Sequence, residues 1–368
     1  MPDDPGAHAA LVAAILQEAR RGPLPEQLDT LYIGGGTPAL LREPQLAELL
    51  NGLRSVSRPG PALEITLEAN PSNVTLDSLG MWSDLGITRV SVGVQTFRDD
   101  VLRRLGRHDS AARAHAALAD LQQHWRGSWS ADLLVGWEGQ DDREVEADVE
   151  ALLSHSPPHI SVYGLTVEPG TALAEWQRLG RAVAVSAAAG ERFDDIWSER
   201  LVAAGLERYE VSNFACKGHR SSHNRSYWRN LDYIGLGPSA ASSSHPLRWV
   251  NRADPESYRD SITRRISARQ FAERVAPLAR LLESLALGLR TAEGFSVPSA
   301  DARFTPAWRD LLHALAPDLL QQSLLTLDES ALRAGHDGSD VIRADALAAE
   351  LARRLSRTNS TEPTAAPR

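Results

Sequence analysis

Tyr32-Ile33-Gly34-Gly35-Gly36-Thr37-Pro38 is the stretch from which the fold of this 368-residue chain can be read. The apolar run Leu31–Ile33 leads into three consecutive glycines, and a helical pattern begins near Pro44. A strand passing through a tight turn into a helix has this punctuation. Glycines leave the backbone bare, so its N–H and C=O groups can approach a polar ligand closely. Thr37 adds a hydroxyl, and Pro38 fixes the exit. The spacing matches neither a Walker loop nor a dinucleotide GxGxxG turn. By itself the motif fits a ligand cradle and a plain strand-to-helix turn equally well.

Working outward, strands are expected at Leu31–Ile33, Leu63–Glu68, Arg89–Val94, Trp129–Leu134, His159–Leu165 and Glu207–Val211. Helical patterns fall between them at Glu43–Leu53, Leu76–Leu85, Ala111–Gln123, Arg143–Leu153 and Ala187–Ala204. Alternation at about 30 residues per unit predicts a parallel α/β architecture, open or curved into a barrel, with the helices as crossovers. Beyond Val211 the pattern changes. Residues 212–244 are rich in Ser, Asn, His, Gly and aromatics and read as an extended functional loop. From about Pro277 to Leu355 the chain reads as mainly helical, with 324–355 forming a short helix-and-hairpin module and a final helix. The expected division is a barrel over 1–211, a His- and aromatic-rich connecting region over 212–276, and a helical, winged-helix-like domain over 277–357. Residues 358–368 read as a disordered tail, having little to bury.

Composition narrows the function classes. The net charge of −9 argues against a general binder of nucleic acid or anionic membranes, both of which need positive surface. No stretch approaches the roughly 18 apolar residues of a membrane span. The N-terminus begins acidic and ends basic, the reverse of a secretory signal, and its spacing suits an amphipathic helix at Ala9–Arg20. A cytoplasmic location follows as the default. The one cysteine, Cys216, rules out an intrachain disulfide and a cluster held by three thiolates of these residues alone, and a lone cysteine is more often an inert small hydrophobe.

The strand ends carry the polar chemistry. Glu68, in Ile65-Thr66-Leu67-Glu68-Ala69-Asn70-Pro71, stands where α/β proteins bind ligands, although alone it reads better as part of a capping network around Asn70 and Asp77. Gln95 closes the third strand with a donor and an acceptor, and Arg107 soon after can clamp a carboxylate, or simply occupy a solvated helix face. Asp132 on the fourth strand suits ribose hydroxyls or a buried structural role. In a parallel barrel these ends converge on one mouth, which outweighs each residue taken singly.

A second constellation is His219-Arg220-Ser221-Ser222-His223-Asn224-Arg225-Ser226-Tyr227-Trp228, followed by Tyr233-Ile234-Gly235-Leu236-Gly237. Histidines four apart share a helix face, as in zinc sites, but the surrounding Ser and Gly argue against a stable helix. An exposed His beside Tyr and Trp suits a planar tetrapyrrole, with imidazole as iron ligand. A structural aromatic lid fits the same residues as well.

Taken together, YIGGGTP, LEANP, GVQTF, the Leu105–His108 turn, the Asp132 strand, ISVYGLTVEPGT, YEVSNFA, HNRSYW and YIGLG resemble the radical S-adenosylmethionine (SAM) proteins related to oxygen-independent coproporphyrinogen oxidase. They are most similar to the HemW-type haem chaperones. The matching pieces run from about Leu31 to about Asn251, and Glu283–Arg290 with the C-terminal module is similar to the family's tail. The resemblance implies a partial (β/α)6 barrel with a smaller, mainly helical C-terminal domain. It implies SAM held by Gly35, Gly36 and Thr37 at its methionine end, with Glu68, Gln95, Arg107 and Asp132 completing the pocket. His223, within HNRSYW, is the implied haem contact and iron ligand, and that motif favours the chaperone over the oxidase. Implied partners are haem or porphyrin and a haem-recipient protein, with peripheral contact to membrane haemoproteins, while the net charge speaks against nucleic acid.

The departures are a missing CxxxCxxC loop, whose thiolates would hold a [4Fe–4S] cluster, and with it the barrel's first strand. Trp137-Glu138 stands where Leu-Pro is usual, and Ala241 where histidine is usual. Either the start is assigned too far downstream or the chain is a remnant without radical chemistry. The intact pocket residues favour the first.

Overall fold

A computed structural model describes residues 4–165, 185–304 and 325–334, with further positions at 178, 308–309, 317, 347, 349–351 and 353–354. The chain separates into two compact units: residues up to Arg208 with Ser212–His223, and Tyr209–Val211 with residues from Asn224 on.

The first unit alternates helices and strands: α1 (Pro5–Ala19), β1 (Gln27–Ile33), α2 (Glu43–Val56), β2 (Arg58–Ala69), α3 (Leu76–Asp84), β3 (Arg89–Gln95), α4 (Asp99–Arg104), α5 (Ala111–His124), β4 (Ser128–Val135), α6 (Asp142–Leu153), β5 (His159–Gly164), α7 (Ala187–Ala203), β6 (Glu207–Arg208) and β7 (Asn213–Ala215). The local reasons are legible. In α2 the buried Leu46, Leu49, Leu50 and Leu53 recur at one helical face. At the start of α6 the Asp141 carboxylate accepts from Glu144 N, while Glu144 reaches back to Asp141 N, a reciprocal cap.

One seven-stranded sheet runs in the order β1-β2-β3-β4-β5-β7-β6, and β1 to β5 are parallel. Its edge strands β1 and β6 do not pair with each other, so the expected partial barrel is open over the described residues. The last pairings differ from the parallel expectation. The strand expected at Glu207–Val211 is only Glu207–Arg208, and β7 runs antiparallel to both β5 and β6. A connection of four residues between β6 and β7 is too short for a crossover and permits only a hairpin.

The two faces of this sheet are chemically distinct. Ile65, Leu67 and Ala69, Val90, Val92 and Val94, then Ala131, Leu133 and Val135 are buried apolar residues at every second position. The helices lie on this side, with α2 touching β2 and α6 touching β4. The alternate positions are Glu64, Thr66 and Glu68; Arg89, Ser91 and Gly93; Ser128, Ser130 and Asp132; and His159, Ser161 and Tyr163. Parallel strands buried on both faces are usually apolar on both, so a polar face marks a surface built for something other than a helix-packed core.

The second unit carries α8 (Ser222–Trp228), within which the unit boundary falls, β8 (Ala241–Ser244), β9 (Leu247–Asn251), α9 (Pro255–Thr263), β10 (Arg269–Arg274), α10 (Pro277–Leu289), β11 (Phe295–Ser296), α11 (Val297–Arg303), β12 (Leu325–Leu327) and β13 (Ala331–Ala334). Strands β10-β9-β8 form one antiparallel sheet and β11-β13-β12 another. Leu281, Leu285 and Leu289 on one face of α10 pack with Phe295, Val297, Trp308, Leu332 and Leu351 into a separate core. The expected hairpin in 324–355 is β12–β13, turned by Asp328, whose Oδ1 accepts from Ser330 N at 2.6 Å and Ala331 N at 2.9 Å. The final helix was expected mostly at residues outside those described, and the tail at 358–368 wholly so.

Residues 212–244 are not the extended loop expected from composition, since β7, α8 and β8 lie within them. The helix α8 forms despite its serines for a reason remote in sequence. The Glu64 carboxylate, on β2, accepts from Ser222 N at 3.0 Å, His223 N at 2.9 Å and Ser221 Oγ at 3.3 Å. A strand carboxylate thereby satisfies backbone donors that a helix start leaves open.

Candidate functional site

The C-terminal ends of β1 to β4 bring the expected residues together on the polar face. Gly35 and Gly36 have φ of +84° and +70°, and a Cβ at either would meet nothing within 4 Å, so the turn presents bare backbone to open space. Gly34 is glycine for another reason: a Cβ there would lie 2.6 Å from Tyr32 Cε1 and 2.8 Å from the Glu68 carboxyl. Glu68 accepts from Tyr32 Oη at 2.7 Å and from Gly35 N at 3.0 Å, tying the second strand end to the turn. Burial first, then the Glu68 charge, drives the Tyr32 hydroxyl far above its usual range, so it stays a donor.

Thr37 and Arg107 meet through Asn70. Asn70 Nδ2 donates to Thr37 Oγ1 at 3.3 Å, and Arg107 Nη1 donates to Asn70 Oδ1 at 3.3 Å. The Arg107 side chain is otherwise exposed. Gln95 takes a left-handed φ of +70° where the β3–β4 register is irregular, and its Nε2 lies 2.8 Å from where a Gly93 Cβ would stand. A non-glycine residue in this region stores strain, which concentrates at functional sites. Asp132 accepts from Ser91 Oγ at 3.1 Å, and Ser91 accepts from Ser130 Oγ at 2.9 Å. Burial pushes its carboxyl up to about 6, against the hydrogen bonds of Ser161 and Ser91, with the Glu68 charge adding to the rise. Asp132 keeps some solvent contact by area, yet the atoms crowded around its carboxyl govern the direction.

Tyr32, Asn70, Ser91 and Ser161 belong to this constellation and were not singled out for it from sequence. For Ser91 and Ser161 the signal was the strict alternation in Arg89-Val90-Ser91-Val92 and His159-Ile160-Ser161-Val162, which assigns one polar face.

At the N-terminal end of the same face the groups are closed off by the segment 216–223. Arg89, 3% exposed, donates through Nη1 to Ser128 Oγ and to the His219 carbonyl, each at 3.0 Å. His219 Nδ1 lies 3.1 Å from Ser128 Oγ. The buried His159 imidazole is held well below its ordinary range by burial and by the charges of Arg89 and His219. His219 and His223 are not a pair, since His223 Nδ1 lies 2.8 Å from Thr30 Oγ1. Its ring stacks on Tyr32 with centroids 4.8 Å apart and planes at 21°. His223 is half-buried rather than exposed as expected, because β1 covers it, and burial lowers its proton affinity despite nearby Glu64. Cys216 is partly exposed, and its N–H donates to the Pro158 carbonyl. No group of three or more His, Cys, Asp or Glu that could hold a metal ion occurs among the described residues, and no described helix is long and apolar enough to cross a membrane.

The second unit holds a cavity of about 510 Å³ walled by Trp228, Phe295 and Phe304. Of the four arginines that line it, Arg225 and Arg229 are paired with Glu293, at 2.7 and 3.0 Å.

Residues 3–152 match the model of the Radical SAM superfamily, and residues 275–340 that of the HemN C-terminal domain. The heme chaperone HemW of Bacillus subtilis (strain 168) is 31% identical over 312 residues, covering 84% of this chain and 82% of that protein. The heme chaperone HemW of Escherichia coli (strain K12) is 36% identical over 226 residues, 58% of this chain and 56% of the relative. The mouse radical S-adenosyl methionine domain-containing protein 1, mitochondrial, is 31% identical over 331 residues, 86% of this chain and 74% of its own length. Among solved structures, coproporphyrinogen III oxidase (HemN) from Escherichia coli superposes with a TM-score of 0.76 over 94% of this chain and 84% of that one. At 20% identity that likeness establishes the fold alone.

Proposed function

We propose that this chain, which belongs to the HemW family of radical SAM proteins, is a cytoplasmic haem chaperone that binds haem through His223 and passes it to a recipient protein. The observation that carries the reading is the placement of His223. Its ring rests on Tyr32, whose hydroxyl bonds Glu68, which in turn binds the glycine turn. Burial keeps the imidazole neutral near pH 7, the form that ligates iron. The relatives whose names describe heme chaperones cover most of this chain, which supports haem as the cargo.

For SAM the residues present fit. The open Gly35-Gly36 backbone and Thr37 would hold the methionine end, and Glu68, Gln95, Arg107 and Asp132 would complete the pocket. Arg107, anchored by Asn70 yet exposed, would clamp a carboxylate, and Asp132 would hold hydroxyls. A reduced [4Fe–4S] cluster, by giving one electron to SAM, would supply radical chemistry at such a pocket. The 368 residues contain one cysteine, Cys216, so a three-thiolate set for that cluster is not among them.

The test is a haemin titration of the purified chain followed by absorbance, then mixing with an apo-haemoprotein. Wild type is expected to bind haemin and to transfer it, and His223→Ala to bind roughly tenfold or more weakly, as for loss of an axial ligand. Unchanged affinity in His223→Ala would overturn the assignment. Consumption of coproporphyrinogen would point to the oxidase instead.

A further inference from the structure

Resting on the reading of His223 as the haem iron's ligand, we propose that Thr30 and Glu64 are its positioning residues: Thr30 selects the tautomer and Glu64 fixes the backbone. A neutral imidazole has one unprotonated nitrogen, and iron can bind only there. Which nitrogen that is depends on the hydrogen bond made by the other, and metal-ligating histidines characteristically donate the second N–H to a fixed acceptor. In this chain Nδ1 has Thr30 Oγ1 at 2.8 Å, an oxygen that accepts when Nδ1 carries the proton. With iron on Nε2, the proton would be on Nδ1 and donated to the threonine oxygen.

The rest of the geometry removes the remaining freedom. Tyr32 stacks on the ring at 21° and sets its plane. Glu64 Oε1 accepts from the His223 backbone N–H at 2.9 Å, and Oε2 from that of Ser222 at 3.0 Å, so the backbone that carries the ring is gripped at two points. Thr30 and Glu64 stand directly opposite each other in the β1–β2 register, and Tyr32 is two positions along the same strand. Both grips therefore come from one rigid strand pair, which holds a ligand more tightly than a loop would. Neither Thr30 nor Glu64 would touch iron, and each acts through His223.

Thr30→Val keeps the shape of the side chain and removes the acceptor. In haemin titrations it is expected to weaken affinity by roughly ten- to one-hundredfold, the usual cost of losing a residue behind a metal ligand. Its ferric-haem absorption and electron paramagnetic resonance spectra are expected to shift toward those of His223→Ala, and Thr30→Ser to restore both readouts. Glu64→Ala is expected to weaken affinity and to speed exchange of the His223 amide hydrogen. A Thr30→Val protein with wild-type affinity and spectra, beside a His223→Ala protein that has lost them, would overturn the inference and leave the haem reading standing. A His223→Ala protein that binds haemin as wild type does would overturn both.

Discussion

The two ends of the polar face of the first unit are made of similar residues and behave oppositely. At the C-terminal end Gly35, Gly36 and Arg107 are open to solvent, and the strand ends touch one another through single hydrogen bonds. At the N-terminal end Arg89 and Glu64 are engaged by the segment 216–223, with Glu64 alone accepting three hydrogen bonds from it. A charged group saturated by its own chain holds the fold. A charged group poised over bare backbone has capacity left for a ligand. Burial and bonding, more than residue type, separate the closed end, which anchors the segment carrying His223, from the end left open.

The sharpest way to break this contrast is at the closed end. Glu64→Ala leaves the N–H groups of Ser222 and His223 and the Ser221 hydroxyl without their acceptor. Loss of hydrogen bonds to a charged group predicts about 3 kcal/mol of destabilisation, read in a urea melt. A variant as stable as wild type would show that segment 216–223 is held by other contacts.

The glycine turn sharpens the contrast within the open end. Gly34→Ala drives a methyl against Tyr32 and the Glu68 carboxyl and is expected to cost about 2 kcal/mol, as overpacking does. Gly36→Ala meets no neighbour and is expected to cost only about 1 kcal/mol, from its left-handed φ. Thermal melts of the two variants should rank in that order, and the reverse would mean that Tyr32 and Glu68 yield easily.

The smallest expected effect is in the pH dependence of stability. Asp132 titrates at about 6 in the folded protein, above its ordinary 3.8, so the fold binds the proton more tightly than the unfolded chain. Its contribution is complete below pH 3.8 and is lost as pH rises through about 6. Allowing for the carboxyl's solvent contact, the loss should be about 1 kcal/mol. Asp132→Asn should abolish that slope between pH 4 and 7, and an unchanged slope would assign it to another group.

Much of the first unit was legible beforehand, for a local reason. Arg89-Val90-Ser91-Val92 alternates at the strand period, α2 repeats leucine at the helix period, and Gly34-Gly35-Gly36 marks the turn between strand and helix. Each pattern lies within a few residues of itself. The motif string from Tyr32 to Gly237 likewise carried the family resemblance without any coordinates. The same locality misled at α8, where serines that weaken an isolated helix are overridden by a carboxylate on β2.

By itself, then, the sequence determined the alternating elements, the polar strand ends and the family to which they belong, because short-range period and composition encode these. Only the tertiary structure decided that Asn70 joins Thr37 to Arg107, that β7 turns back antiparallel, and that Thr30 and Glu64 grip His223. Thr30 and His223 are 193 residues apart, and Glu64 and His223 are 159 apart. No local pattern records such a meeting, which exists only once packing of the intervening strands has brought the two segments onto one face.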